Sequence, residues 1–163
     1  THDTLTGLYN RRGIEERFQE ESARLKREGR SLSIALLDLD NLKEINDKGG
    51  HEAGDEALKA IAVTLKENLR KEDIVGRWGG DEFIVVFSGI IGENALLTVG
   101  RLQERLKEKG LAVTYSAGVA QIDGEYDLLK LVSLADVAAY LTKEQGKNRV
   151  ILWQQGMPEK VEK

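Results

Sequence analysis

"RWGGDEFIVVF", residues Arg77 to Phe87, is the stretch on which the reading of the fold turns. Its closing residues, Phe83 to Phe87, form an unbroken apolar run, the pattern of a buried β-strand. Gly79 and Gly80 ahead of the run are residues that supply positive φ in a tight two-residue turn, so the stretch reads as a hairpin and its second arm. Asp81 and Glu82 stand at the mouth of that arm. Acids beside a turn are ordinarily just solvated. The sharper reading is a metal–phosphate site, in which bare glycines let a phosphate approach the backbone and the acids hold a hard divalent cation. Consecutive in an extended segment, Asp81 and Glu82 point apart and cannot do the same job.

Upstream, "SLSIALLDLD" (31–40) reads as a second buried strand, this one ending in acids. Before it, "RRGIEERFQEESARLKREG" carries Ile14, Phe18 and Leu25 at helical spacing, with Gly29 as a stop. "HEAGDEALKAIAVTLKENLR" sets Leu58, Ile61, Ala62, Leu65 and Leu69 on one helical stripe. After the hairpin come a helix over about 94–109, interrupted by Gly100, and the strand "LAVTYSAGVAQI". The helix "YDLLKLVSLADVAAYLTKEQG" and a closing strand "NRVILW" complete the chain, and the tail 156–163 is expected to fray. The order after the first helix is β-α-β-β-α-β-α-β. It predicts an α+β domain over 1–155, a ferredoxin-like mixed sheet of about five strands built on a split βαβ, with helices on one side.

That order makes the first strand and the hairpin sheet neighbours, so Asp38 and Asp81 reach the same end of the sheet. Magnesium takes a carboxylate or two and completes its shell with phosphate oxygens and water, which this end could offer. The plainer reading makes Asp38 or Asp40 the N-cap of "NLKEIN", Asp40 being the better placed.

The chain has 163 residues, enough for one domain with a substantial core. It has no cysteine, which excludes thiolate zinc sites and thiol catalysis and fits a reducing cytoplasmic setting. A net charge of −4 leaves no global basic field for nucleic acid, so any phosphate ligand must be met by local cations or a metal. No apolar run is long enough to span a membrane, and no membrane contact is expected. The start at Thr1, without methionine, reads as a module of something longer, such as the cytosolic output domain of a receptor.

Four motifs in order resemble the GGDEF domains, the diguanylate cyclases: "DTLTGLYNRR", "DLDNLKEINDKGGHEAGD", "RWGGDEF" and "ADVAAYLTKEQGKNRV". The resemblance runs from Asp3 to Val150 and implies a palm-type, nucleotide-cyclase-like fold. It also implies the condensation of two GTP molecules into cyclic di-GMP, each 3′-hydroxyl attacking the other's α-phosphate. By the same resemblance Asp38, the Leu39 carbonyl and Asp81 are the ligands of Mg2+ or Mn2+. Asp81, Glu82 and Lys143 are the catalytic groups, one of the two acids deprotonating the 3′-hydroxyl. Gly79 and Gly80 border the GTP. Lys43, Lys143 and Lys147 match cations on the triphosphate, joined by backbone N–H groups from Asn41 through Leu42 to Lys43 at a helix start. Asn46 and Asp55 match the guanine readers, a buried Asp55 accepting the N1–H and 2-amino hydrogens that adenine lacks. His51 is read as structural. Arg70 and Asp73 of "RKED" match an inhibitory RxxD site for the product, where arginine forks onto guanine O6 and N7. Gly49, Thr142 and Ile14 depart from the usual pattern without touching a proposed ligand. Two facing nucleotides imply a transient homodimer. The alternative is a non-catalytic module that senses GTP or cyclic di-GMP, whose usual mark, a decayed hairpin signature, is absent from this chain.

Overall fold

The computed structural model describes residues 1–162. Helix α1 (Arg11–Glu28) starts where the Asn10 side chain accepts the Gly13 N–H at 2.9 Å and ends on Gly29, whose φ of 65° only glycine adopts cheaply. The remaining elements follow as β1 (Leu32–Leu39), α2 (Leu42–Gly49), α3 (His51–Asn68), β2 (Ile74–Arg77) and β3 (Glu82–Ser88). The chain closes with α4 (Gly92–Glu108), β4 (Tyr115–Ala120), α5 (Leu128–Glu144) and β5 (Val150–Leu152).

The five strands form one sheet in the order β2-β3-β1-β4-β5, with only β4 and β5 parallel. This is the expected mixed α+β sheet. Strand β1 lies at its centre, paired on both edges, and its residues are buried on both faces, which is why "LSIALL" shows no polar–apolar alternation. The helices cover both faces of the sheet, where one was expected. Ala35, Leu37, Leu39, Phe83, Val85 and Phe87 pack with α3 and α4, whereas Ile34, Leu36, Ile84 and Val86 pack with α1 and α5. A single-sided sheet would have left one of these apolar sets in water, at about 1.5–3 kcal/mol per large side chain.

Period-2 alternation then fixes the acids. Asp38 and Glu82 follow the even-numbered residues of their strands and so face the α5 side. Helix α5 comes down hard on β4. A Cβ at Gly118 would stand 1.9 Å from the Ala135 carbonyl oxygen, so only glycine permits this approach. That packing carries the C-terminal end of α5, with Lys143, over the end of β1.

Three local expectations are corrected. Neither Gly79 nor Gly80 has a positive φ; the connection is a wider turn in which Trp78 N–H donates to Glu82 O at 2.8 Å and Glu82 N–H to Gly79 O at 3.4 Å. Asp40 does not cap α2. The N-cap is Asn41, left-handed at φ 59° and without a side-chain cap bond, while the Asp40 carboxylate turns inward. The described part of the tail is docked: Trp153 Nε1 donates to Pro158 O at 2.8 Å, Ser133 Oγ donates to Glu159 O at 2.8 Å, and Met157 and Val161 pack on the α5-side core.

Candidate active site

Three elements deliver the charged groups to one end of the sheet. Asp38 and Glu82 are paired across β1 and β3, and Leu39 N–H donates to Asp81 O at 2.9 Å, which holds the hairpin turn against the end of β1. Lys143, on the last turn of α5, donates from Nζ to Asp38 Oδ2. Lys147 follows in the α5–β5 loop and donates from Nζ to Asn41 Oδ1 at 2.7 Å. Lys43 stands exposed on α2, with no ion pair among the described residues.

The electrostatics are those of acids held too close. Burial raises the Asp38 pKa, and repulsion from Asp81 adds to it, more than the hydrogen bond from Lys143 offsets. Burial likewise raises Glu82, reinforced by Asp38, Asp81 and Asp136 on α5. For Lys143, burial acts downward, but the Asp38 hydrogen bond and the pull of all three acids prevail and the ammonium is held. Asp38, Asp81 and Glu82 do not close into a three-ligand cage among the described residues. Asp38 and Asp81 are nevertheless hard oxygen donors of the kind magnesium takes one or two of, the rest of its shell coming from other oxygens. On this chemistry the residues fit a magnesium or manganese ion.

The turn is built for close approach. A Cβ at Gly79 would stand 2.5 Å from Glu82 Oε1, so any larger residue there would displace the Glu82 carboxylate from its present place. A Cβ at Gly80 would meet nothing within 4 Å, and the residue's φ makes no demand for glycine. Its bare backbone faces open space beside Asp81. Arg77 fixes the turn from behind, donating through Nη2 to Gly80 O at 2.6 Å and through Nη1 to Asp3 at 3.3 Å. Burial raises the Asp3 carboxyl, but hydrogen bonds from Thr6 and the Arg77 charge outweigh it and hold the group below its ordinary range. Sequence reasoning gave neither Arg77 nor Asp3 a role, because only the fold joins them.

A cleft of about 300 Å³ opens from Asp81 and Gly80 toward α2 and α3, lined by Leu42, Asn46, His51 and Asp55. Asn46 Oδ1 is buried in its wall without a hydrogen-bond partner, an orphaned acceptor that a ligand N–H would satisfy. Gly54 makes room for it: a Cβ there would lie 2.1 Å from that oxygen. Asp55 was expected to be buried and is exposed at the rim, as is His51, which lines the cleft and does not pack in the core.

Arg70 and Asp73 lie apart from this end. The Arg70 guanidinium donates to Asp73 Oδ1 and to Ser88 O, both at 2.7 Å, and the Asp73 side chain is only 2% exposed while Arg70 is 43% exposed. They border a cleft of about 610 Å³ between α3 and α4, where Asn94, Arg101 and Arg105 complete the wall. The two α4 arginines went unremarked in the sequence, since their i,i+4 spacing is also that of an ordinary solvated helix face.

The family model described as "Diguanylate cyclase, GGDEF domain" matches residues 1–149. Diguanylate cyclase DosC of Escherichia coli strain K12 is 38% identical over 159 residues, which is 93% of this chain and 35% of that protein. The chain therefore spans about a third of that relative's length. The GGDEF domain of DgcB from Caulobacter crescentus, solved in complex with c-di-GMP, superposes with a TM-score of 0.86 at 27% identity, covering 93% of this chain and 95% of that one. Diguanylate cyclase SiaD of Pseudomonas aeruginosa, solved with its activator SiaC, gives a TM-score of 0.84 at 35% identity over 93% of this chain and 61% of its own.

Proposed function

Since this chain belongs to the diguanylate cyclase GGDEF domain family, we propose that it condenses two GTP molecules into cyclic di-GMP with release of two pyrophosphates. The observation that carries this reading is the convergence of Asp38, Asp81, Glu82 and Lys143 beside a cleft of about 300 Å³ with an orphaned acceptor in its wall.

Asp38, Asp81 and the Leu39 carbonyl would hold magnesium or manganese, which when bound neutralises phosphate charge and polarises the α-phosphate. Lys143 and Lys147 draw the β- and γ-phosphates, and the open backbone at Gly80 admits them without steric conflict. Asp55 at the rim accepts the guanine N1–H and one 2-amino hydrogen, and Asn46 accepts the other 2-amino hydrogen through Oδ1. Each 3′-oxygen then attacks the α-phosphorus of the opposite nucleotide as the pyrophosphate oxygen leaves. Glu82 takes the hydroxyl proton, because a carboxylate pushed up by burial and neighbouring acids is a stronger base than a solvated one.

One chain presents one such site, so the reaction needs two chains facing each other about a two-fold axis. Product returns to the cleft beside Arg70, where Arg101 and Arg105 add the positive charge a dinucleotide requires. No described helix is long and apolar enough to cross a membrane.

Incubation with GTP and magnesium, followed by chromatography, should yield cyclic di-GMP, with specific activity rising as enzyme concentration rises. A tethered pair should gain further, since a short linker holds its partner at an effective concentration of about millimolar. No product at any concentration of a folded dimer would refute the cyclase reading, and constant specific activity across about a hundredfold dilution of a monomer would refute the two-chain requirement.

A further inference from the structure

The most deeply buried acid at this end of the sheet is neither a proposed metal ligand nor a proposed base. Asp40 is 5% exposed. Its Oδ1 accepts from Ser116 Oγ at 2.6 Å, and its Oδ2 accepts from Thr114 Oγ1 at 2.8 Å and from the Asn148 backbone N–H at 3.1 Å. Its own N–H donates to Thr114 O at 2.9 Å. It has no basic partner among the described residues, so the carboxylate is held by hydrogen bonds alone. A buried carboxylate is tolerated only while such bonds are kept, so its donors are held in place as firmly as the acid itself.

Those bonds join two segments over a hundred residues apart. Asp40 directly precedes Asn41, the left-handed start of α2, whose backbone is proposed to meet phosphate. Asn148 directly follows Lys147, and both are left-handed, at φ 49° and 66°, conformations unfavourable for residues with a Cβ. Lys147 in turn reaches back to Asn41. One carboxylate oxygen thus pins the strained α5–β5 loop against the α2 turn and sets where the Lys147 ammonium stands.

We infer that Asp40 is a positioning residue for the triphosphate, acting through Asn148 to place Lys147 opposite the Asn41–Lys43 turn. The inference rests on the phosphate role proposed above for Lys147. Its competitor is a plain staple between β1 and β4, since Thr114 directly precedes β4 and Ser116 lies within it.

Binding of two guanine ligands that cannot turn over separates the two. Calorimetry with 3′-deoxyguanosine triphosphate and 3′-deoxyguanosine monophosphate reads the phosphate end and the base end of one cleft. Asp40→Asn, isosteric but short of one acceptor, should weaken the triphosphate about tenfold and the monophosphate less than about twofold. Lys147→Ala should do the same, and the double variant should be no weaker than Lys147→Ala alone, because both changes remove one contact. Should Asp40→Asn fail to fold, Thr114→Val loosens the same oxygen and should cost about threefold, for the triphosphate only. Equal losses on both ligands, or additive losses in the double variant, would reduce Asp40 to the staple and overturn the inference. If Lys147→Ala leaves triphosphate affinity unchanged, the phosphate role itself falls and the inference with it. A selective loss in Lys147→Ala beside an unselective one in Asp40→Asn overturns only the role of Asp40.

Discussion

Asp38 and Glu82 stand directly opposite one another on β1 and β3, with their side chains on the same face of the sheet. Like charges in that relationship repel, and an isolated sheet would not select it. Here the pair is offset by Lys143, which binds Asp38 from α5. The arrangement stores unfavourable charge at the place where a divalent cation and a triphosphate are proposed to meet.

Asp38→Asn and Asp81→Asn should each lower cyclic di-GMP formation by about 10²–10³-fold or more, the scale of losing one preorganised electrostatic group. The fold should survive, because neutralising one of several crowded acids relieves repulsion. Chromatographic rates and circular-dichroism melts on the same samples check both halves. Normal turnover in either variant would remove that residue from the metal site.

Guanine selection should depend on Asp55. Asp55→Ala removes the acceptor at the cleft rim and should weaken GTP by about 1–3 kcal/mol, with little change for ATP. Competition binding in magnesium provides the comparison. If the unaltered protein binds the two nucleotides alike, the cleft is not a guanine site.

Stability should carry a pH signature from Glu82. Its native pKa is raised, so the folded state holds that proton more tightly than the unfolded chain does. The associated stability is fully present below the ordinary carboxylate range, about pH 4–4.5, and is lost as pH rises through the raised native value. Asp38 has the same sign. Glu82→Gln should therefore melt higher than the parent at neutral pH, by about 2–4 °C for each kcal/mol recovered, and lose this part of the pH slope. A neutral-pH melting point at or below that of the parent would show that the acids are not in conflict.

Product feedback is expected to act through the α3–α4 cleft. Arg70→Ala should weaken cyclic di-GMP by about tenfold or more and relieve inhibition, leaving the initial rate on GTP nearly unchanged. Arg70 is the better probe of the two, since Asp73 is buried and its Oδ1 also accepts the Ser88 N–H at 3.4 Å. Equal product affinity in calorimetry would return "RKED" to the status of a loop after a helix.

The sequence by itself determined the elements and the motif residues, because those signals are local. Helical stripes, apolar runs, the acids at the end of β1 and the glycines before β3 are all legible within windows of about ten to twenty residues. Tertiary packing decided the rest. Alternating strands cannot say which face a helix will cover, and only the seating of α5 on Gly118 brings Lys143 to Asp38 across 105 residues of chain. Asp40 looks like a helix cap in its own segment and becomes a buried hub only when Ser116 and Asn148, 76 and 108 residues away, arrive as donors. The orphaned oxygen of Asn46 and the arginines of α4 likewise acquire meaning from neighbours the local sequence does not contain. Hydrogen bonds and charges act over a few ångströms of space, and it is the fold that decides which residues come within that reach.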